Sequence, residues 1–336
     1  MSRPDDGERA TTIYDVARAA GVSPSTVSRA FSRPGRVSSR TAQHVHEVAE
    51  RLGYRSDQVR HFATSPRTRT LGLAISDITN PFYFPIIRGA EHAAAAAGYT
   101  MLLVDAQESL ETEREMLRRA LPLVDGFVIA SSRLSDTDLR SIAKSVPVVV
   151  LNRVVAGLPS VVPDTPRGAR RAVEHLATLG HPTITYVAGP EASWADGARW
   201  RALREASLEL GLRENRVGPV EPTVEGGRAA AVSVAERGDR AVLAYNDLVA
   251  MGLVAGLREL GIAVPDEVSV VGFDNIFAAD LVTPALTTVA APLSTLGDTA
   301  VRHVLALAGG AEARRGGPIV VPVRLVVRAS TAAPAG

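Results

Sequence analysis

Two helical patterns near the N-terminus are separated by only three residues, and this spacing constrains the fold more than any other feature. In the first pattern, apolar residues recur at the intervals of one helix face, at Ile13, Val16, Ala17 and Ala20. Thr12 followed by Asp15 is typical of a helix start, and Gly21 of a helix end. Ser23 is a good N-cap for a second helix that begins at Pro24. The connection is that of a helix-turn-helix.

A third helical pattern completes a small basic bundle. Ser38 is placed to cap a helix with the same apolar spacing, at Val45, Val48, Ala49 and Leu52. Residues 1–70 carry 12 arginines against 7 acidic residues, whereas the remainder of the chain has a net charge of −4. This asymmetry in net charge indicates that the bundle binds a polyanion.

The second helix of the bundle carries side chains that suit nucleic acid. When a helix-turn-helix binds DNA, this helix lies in the major groove with its N-terminal residues toward the bases. Here it offers Ser25, Thr26, Ser28 and Arg29. Arginine can bond both acceptors of a guanine edge, and small hydroxyls suit phosphates. The alternative is an ordinary solvated face, because paired helices are common.

The rest of the chain alternates strand-like and helical segments. Strands are predicted at 71–76, 99–105, 126–130, 147–151, 183–188, 241–244 and 268–273, and helices at 86–97, 196–211 and 247–260. This order predicts an α/β body of doubly wound parallel sheets, long enough for two lobes. We therefore expect a flexible N-terminus over 1–10, a three-helix helix-turn-helix domain over 11–56, a hinge over 57–70, a two-lobed body over 71–331 and a tail over 332–336.

The sequence lacks the motifs of several classes of protein. The chain has no cysteine, and its single lysine, Lys144, follows Ala143, so thiolate sites and a Gly-Lys-Ser/Thr phosphate loop are excluded. Gly-x-Ser-x-Gly, Gly-x-Gly-x-x-Gly and His-Glu-x-x-His are also absent. We expect no cofactor, no metal and no enzymatic activity, although a dispersed Ser/His/Asp triad stays open. No apolar run approaches the ~20 residues of a membrane span, and the N-terminus lacks a signal-peptide core, so a cytoplasmic location is expected.

The run TIYDVARAAGVSPSTVSR, from Thr12 to Arg29, resembles the headpiece of the LacI/GalR (lactose-repressor) family of transcriptional regulators. Further matching segments are Arg36-Val-Ser38, Leu52-Gly-Tyr54, Asn80-Pro-Phe82, Leu151-Asn-Arg153, His175-Leu-Ala-Thr-Leu-Gly-His181, Asn246-Asp247, Val268-Ser-Val-Val-Gly-Phe-Asp274 and Arg328-Ala-Ser-Thr331. The resemblance implies a ligand-responsive repressor of sugar or related catabolic genes, with an activator as the alternative. It also implies a homodimer on a pseudopalindromic operator in double-stranded DNA. A transporter's solute-binding protein, the competing class, has no use for a basic helix-turn-helix.

The resemblance assigns headpiece residues to DNA. Ser25 and Arg29 would read bases. The positions that match backbone contacts in the family are Thr12, Ser23, Thr26, Ser28, Ser38, Thr41 and Tyr54. Ser23 and Ser38 would cap their helices with or without DNA, and the two roles are compatible because a capped helix N-terminus is itself a phosphate site.

The hinge departs from the family pattern. Relatives insert a leucine pair into the minor groove to wedge a base step open. Here Ala63 occupies the leucine position and Phe62 precedes it. Either Phe62 replaces the leucine as the wedge or the hinge bends DNA less. We favour Phe62.

In the body, the resemblance implies a small molecule, sugar-like, held between two lobes as in periplasmic sugar-binding proteins. The residues that match ligand contacts are Asn80, Phe82, Tyr83, Asn152, Arg153, Arg199, Asn246 and Asp274. Amides, carboxylates and guanidinium groups suit hydroxyls. Structural alternatives are a plain turn at Asn80, a strand-end cap at Asp274 and an ion pair at Arg153.

Two further residues bear on the expected ligand. Ala291 replaces a glutamine that helps to hold sugars in relatives, which allows a larger or less polar ligand. Trp194 would either stack on the ligand or lie at the surface.

Overall fold

A computed structural model describes residues 12–32, 37–52, 68–311 and 317–334. The chain forms two compact units that divide between Arg67 and Thr68. The first contains the predicted bundle and the second the α/β body. Tyr54, Phe62 and Ala63 lie outside the described residues.

The predicted three-helix bundle is confirmed. Its helices are α1 (Ile13–Ala20), α2 (Pro24–Ser32) and α3 (Ser39–Arg51). Asp15 accepts hydrogen bonds from the backbone N–H and the hydroxyl of Thr12, and Gly21 ends α1 with a φ of 65°. The core consists of small aliphatic side chains from all three helices, namely Val16, Ala17, Ala20, Val27, Ala30, Val45, Val48 and Ala49. Leu52 is 39% exposed, because α3 ends one residue earlier.

The body has two lobes, each built on a six-stranded sheet. The first sheet runs β11-β5-β4-β3-β1-β2 and all its pairs are parallel. Its strands are β1 (Thr70–Ile75), β2 (Thr100–Asp105), β3 (Gly126–Ala130), β4 (Val148–Leu151), β5 (Ser160–Pro163) and β11 (Ile319–Val321). Its helices are α4 (Tyr83–Ala96), α5 (Leu110–Ala120), α6 (Asp136–Ala143) and α11 (Leu293–Ala308).

The second sheet runs β12-β10-β9-β8-β6-β7 and is parallel except for the edge pair β10–β12. Its strands are β6 (Thr183–Val187), β7 (Arg213–Val217), β8 (Ala241–Ala244), β9 (Ser269–Asp274), β10 (Thr287–Ala290) and β12 (Arg324–Val326). Its helices are α7 (Thr165–Thr178), α8 (Trp194–Glu209), α9 (Val224–Arg237) and α10 (Asp247–Glu259), with a 3-10 helix at Phe277–Asp280. The predicted doubly wound architecture is therefore confirmed.

Alternate residues of the central strands face different cores. In β1, Leu73 packs into one cluster of the first lobe and Ala74 into the other. Gly72 is required because a Cβ there would lie 2.1 Å from the ring of Phe127. Burial on both faces explains why these strands are continuous apolar runs in the sequence.

The chain passes between the lobes three times, after β5, β10 and β11. The first and third passages are tied together, because Asp164 donates its backbone N–H to the carbonyl of Val321 at 2.9 Å. These short passages leave the carboxyl ends of the parallel strands facing one another across a cleft.

Some predicted boundaries were wrong. Thr68 and Arg69, expected in the hinge, bond to the Asp125 carboxylate and belong to the body. Ala332, expected in the tail, donates its N–H to Ser269 and accepts from His181. Within the described ranges, no helix has the length and apolar character needed to cross a bilayer.

Candidate functional site

Helix α2 and the residue before it present a group of hydroxyls and an exposed guanidinium. The Ser23 hydroxyl accepts from the Thr26 backbone N–H at 3.2 Å and lies 2.9 Å from Ser25 Oγ and 2.8 Å from Thr26 Oγ1. Ser25 and Arg29 are exposed and stand four residues apart, so they share one helix face. Ser28 is half-buried.

The other predicted backbone contacts also serve as helix caps. Ser38 accepts from the Thr41 N–H at 3.2 Å, and the two hydroxyls lie 2.7 Å apart. Thr12 makes its bonds with Asp15 at the start of α1. These side chains are therefore ordered by the bundle itself at the ends where helices attract anions.

The second site is a small cavity between the lobes of the body. Seven predicted residues line it, namely Asn80, Phe82, Tyr83, Asn152, Arg199, Asn246 and Asp274. Pro163, Thr165 and Ala291, which lie beside or in the passages between the lobes, complete part of its wall. The cavity measures about 40 Å³, room for about three water molecules. A larger ligand enters only if the lobes or the lining side chains move.

Arg153 and Trp194 are not part of this lining. The Arg153 guanidinium donates to the carbonyls of Ser132 and Leu134 at 3.2 and 2.6 Å and pairs with Asp136 at 2.5 Å. Arg153 therefore makes the ion pair that was named above as the alternative to a ligand contact. Trp194 is 37% exposed at the start of α8, and its neighbour Ala195 reaches the cavity instead.

Arg199 and Asp274 form a buried ion pair on the second-lobe wall. Their N···O distance is 3.1 Å, and each side chain is 7% exposed. The Arg199 guanidinium lies 3.8 Å from the Phe273 ring centroid and 5.0 Å from that of Tyr245, and it also donates to the Tyr245 carbonyl. Burial raises the pKa of Asp274 to about 7, although Arg199 opposes the shift. The pair is thus a polar surface held between aromatic rings.

A second buried carboxylate, that of Asp247, lies next to the second-lobe wall. Asp247 accepts from the Ile276 N–H at 2.8 Å and from the Thr288 hydroxyl at 2.5 Å. Burial, reinforced by the charge of Asp274, raises the pKa of Asp247 to about 8. The preceding residue, Asn246, lines the cavity and caps α10 by accepting from the Val249 N–H at 2.9 Å.

The first-lobe wall offers an unused acceptor. Asn152 donates from Nδ2 to Ser131 Oγ at 3.1 Å, but its buried Oδ1 has no partner among the described residues. Asn80 lines the cavity and also forms the turn named above as the structural alternative, since its Oδ1 accepts from the Phe82 N–H at 3.0 Å. The Tyr83 hydroxyl donates to Ser76 at 3.0 Å, and burial raises its pKa.

Nine lining residues were missed from sequence, and the polar or aromatic ones among them are Glu108, Ser131, Thr165, Arg133, Tyr245 and Phe273. Arg133 and Glu108 form a second ion pair at 2.5 Å. Ser131 and Tyr245 directly follow β3 and β8, and ligands of open α/β sheets bind at the carboxyl ends of strands. For Ser131 and Tyr245, the position directly after the strand was therefore a usable signal.

Backbone strain concentrates at the same cavity. Four lining residues other than glycine have a positive φ, namely Glu108 (54°), Ser131 (54°), Asn152 (60°) and Asp274 (118°). Such conformations persist where the surrounding structure holds them, often at ligand sites.

Comparisons with known proteins identify the family of the chain. Residues 12–57 match the family model for bacterial regulatory proteins of the lacI family, and residues 173–331 match a periplasmic binding protein-like domain. The chain is 35% identical over 333 residues to the HTH-type transcriptional regulator DegA of Bacillus subtilis (strain 168), covering 96% of this chain and 98% of that protein.

Two solved structures show similar folds. A LacI family transcriptional regulator from Enterococcus faecium with bound ribose is 31% identical, with a TM-score of 0.72 over 79% of this chain and 100% of that one. The lac repressor dimer bound to operator and the anti-inducer ONPF is 27% identical, with a TM-score of 0.70 over 97% of this chain and 100% of that one. The protein described here belongs to the LacI family of bacterial regulatory proteins and is a transcriptional regulator.

Proposed function

We propose that this regulator is a repressor that binds operator DNA as a homodimer and changes its operator affinity when a neutral, hydroxyl-rich ligand binds between the lobes. The observation that carries the proposal is the convergence of seven family-matched residues on one cavity. As a DNA-binding regulator it would act in the cytoplasm, and we assign it no enzymatic activity.

The charges at the cavity favour a neutral ligand. Each guanidinium in the lining is already paired with a carboxylate, Arg133 with Glu108 and Arg199 with Asp274. An anion would compete with those carboxylates, whereas hydroxyls can donate to the carboxylates and accept from the guanidinium groups. The free Oδ1 of Asn152 suits a hydroxyl donor. The ribose in the E. faecium relative supports a sugar.

A thermal-shift screen of sugars, polyols and nucleosides on the full-length protein tests this part of the proposal. A ligand of the native state raises the unfolding midpoint by mass action. We expect a saturable shift from a neutral polyhydroxy compound that Asn152→Ala weakens. The absence of a saturable shift from any compound of the screen, or a shift that Asn152→Ala leaves unchanged, would contradict this part of the proposal.

For the headpiece, we propose that Ser25 and Arg29 read bases and that Thr12, Ser23, Thr26, Ser28, Ser38, Thr41 and Tyr54 contact the DNA backbone. We further propose Phe62 as the minor-groove wedge. Phe62→Ala should reduce operator affinity and DNA bending, while Ala63→Leu tests whether a leucine still fits the groove. If Phe62→Ala changes neither the operator affinity nor the DNA bending, the headpieces bind DNA without this wedge.

An exposed apolar turn in the second lobe supports dimerisation. Phe277 is 65% exposed and Leu281 is 75% exposed, and adjacent apolar side chains of this size are typical of protein interfaces. Sedimentation should give a dimer mass, and Phe277→Ser with Leu281→Ser should shift it toward the monomer. A mass near four chains would contradict the dimer.

A further inference from the structure

A second concave site lies on the outer side of the second lobe, between α7 and the edge strand β12. Its polar lining consists of Arg167, Arg171, Glu174, His175, Thr178 and Arg324, and Val323 and Leu325 complete it. We call it the arginine groove. Its volume is about 520 Å³, within the range of about 300–1,000 Å³ of small-molecule sites.

The three arginines of the groove have no carboxylate partner in the described part of the chain. Arg167, Arg171 and Arg324 are exposed and form no ion pair there, although most other arginines of the body do. The carboxylate in the groove, Glu174, is engaged by Arg170 at 2.8 Å. The groove therefore has an excess of positive charge.

This arrangement works against local stability. Arg167 and Arg171 stand four residues apart on α7, where like charges repel. Arg324 of β12 adds a third positive charge to the lining. An anion between the helix and the strand would remove this repulsion.

The two sides of the groove are held firmly together. A Cβ on Gly168 of α7 would lie 2.7 Å from Val289 and 3.2 Å from Val323, so the helix packs directly on the sheet. Val323 belongs to the same apolar cluster as Phe273. A preformed site loses little freedom on binding.

We propose that the arginine groove binds the phosphate group of a small organic phosphate, at a site separate from the cleft between the lobes. The planar guanidinium of arginine matches phosphate oxygens with paired hydrogen bonds. Arg167 and Arg171 hold the phosphate from the helix and Arg324 holds it from the strand. Val323 and Leu325 contact the less polar part of the ligand.

His175 provides a reporter inside the groove. Its Nε2 lies 2.9 Å from Thr331 Oγ1, and burial together with the nearby His181 lowers its pKa. The charged groups that share the groove with it are Arg167, Arg171, Glu174 and Arg324. A bound phosphate would favour the protonated ring and raise this pKa.

Calorimetric titration of the full-length protein with sodium pyrophosphate tests the proposal, with ionic strength held constant by sodium chloride. We expect saturable binding that is at least tenfold weaker in the triple variant Arg167→Gln, Arg171→Gln, Arg324→Gln. Arg258→Gln is the matched control, since Arg258 is exposed on α10 outside the groove. Inorganic phosphate in a parallel titration should bind at the same site more weakly.

Proton NMR of His175 gives an independent readout. Pyrophosphate should raise its pKa in the native protein and leave it unchanged in the triple variant. The proposal is overturned if pyrophosphate does not bind saturably, if the triple variant binds like the native protein, or if Arg258→Gln weakens binding equally. The three replaced residues are exposed, and a thermal midpoint of the triple variant at or above that of the native protein verifies its fold.

Discussion

The headpiece and the cleft place their functional residues in opposite environments. In the headpiece, Ser25 and Arg29 are exposed on a single helix turn, and helix caps order the neighbouring hydroxyls. In the cleft, Arg199 and Asp274 are 75 residues apart in the chain and almost fully buried. A local motif presents the first set, whereas the sheet topology assembles the second.

Because of this difference, substitutions in the two regions should have different effects on stability. A residue that faces solvent can be replaced with little effect on folding, so its loss reports on binding alone. A buried charge is part of the structure, because removal of its partner leaves it desolvated and unpaired. Stability and binding should therefore separate in the headpiece and move together in the cleft.

The largest effect is expected from Arg199→Met. At pH 8 the loss of the guanidinium leaves the buried Asp274 unpaired, which should lower the free energy of unfolding of the body by about 3 kcal/mol. At pH 5 the loss should be smaller, because Asp274 is then protonated. Denaturant unfolding at both pH values measures this. Arg204→Met on the same helix is the control, since its pair with Glu214 is long (3.5 Å) and exposed, and its loss should change stability by less than about 1 kcal/mol.

Arg29→Ala should affect DNA binding and leave stability unchanged. The loss of a paired arginine–guanine contact weakens specific binding by about 1–3 kcal/mol and relaxes the preference at one position of each half-site. Fluorescence anisotropy with an operator selected from random DNA, and with its single-base variants, measures both. Arg18→Ala, an exposed change on α1, is the control. If Arg29→Ala binds with unchanged affinity and selectivity, α2 is not the helix that reads the bases.

Buried carboxylates should make the body, but not the headpiece, sensitive to pH. The folded-state pKa values of Asp247 and Asp274, about 8 and about 7, lie above the ordinary value of 3.8. The folded state therefore holds protons that the unfolded chain has lost, and stability falls as the pH rises toward 8. Between pH 6.5 and 8 the expected fall is about 1 kcal/mol per pH unit for Asp247 and about half of that for Asp274, which loses its proton within this range. The histidines that are buried in the folded state offset part of this fall, because in the unfolded chain they lose their protons only by about pH 7.5.

Chemical denaturation between pH 6.5 and 8 checks this slope. Asp247→Asn should make it shallower, because the amide cannot ionise. Asp298→Asn is the control, since Arg302 holds the pKa of Asp298 below its ordinary value and outside this window. No buried residue of the described headpiece is acidic, so its unfolding should not change with pH in this range. An identical slope in Asp247→Asn and the native protein would refute the assignment to Asp247.

The headpiece could be predicted from the sequence in more detail than the cleft. The helices of the headpiece were evident because caps and apolar spacing act within a few residues, as at Thr12, Ser23 and Ser38. Seven of the twelve strands in the described residues were evident, because burial on both faces requires apolar runs. Five strands of three to five residues were missed, namely β5, β7, β10, β11 and β12, because so few residues carry no clear pattern and β7 and β12 also contain charged side chains.

In the cleft, motif matching located seven lining residues, but the sequence could not show how they pair. Arg133 and Glu108 are 25 residues apart and meet only because β2 and β3 flank β1 in the sheet. Arg153 matched the family pattern, yet it turns to Asp136 on its own lobe. Side-chain direction at such positions depends on tertiary contacts that local spacing does not encode.

The smallest effect should come from Arg153→Gln, tested beside its neighbour Asn152→Ala. Once the screen has identified a cleft ligand, Arg153→Gln should change its affinity by less than about twofold, because the Arg153 guanidinium is occupied by Asp136 and two carbonyls outside the cavity. Asn152→Ala removes a lining amide and should weaken binding by about tenfold. Calorimetric titration of both variants compares them directly. If Arg153→Gln weakens binding as much as Asn152→Ala, the Arg153 side chain reaches the ligand when the lobes move, and its pair with Asp136 belongs to the unliganded state alone.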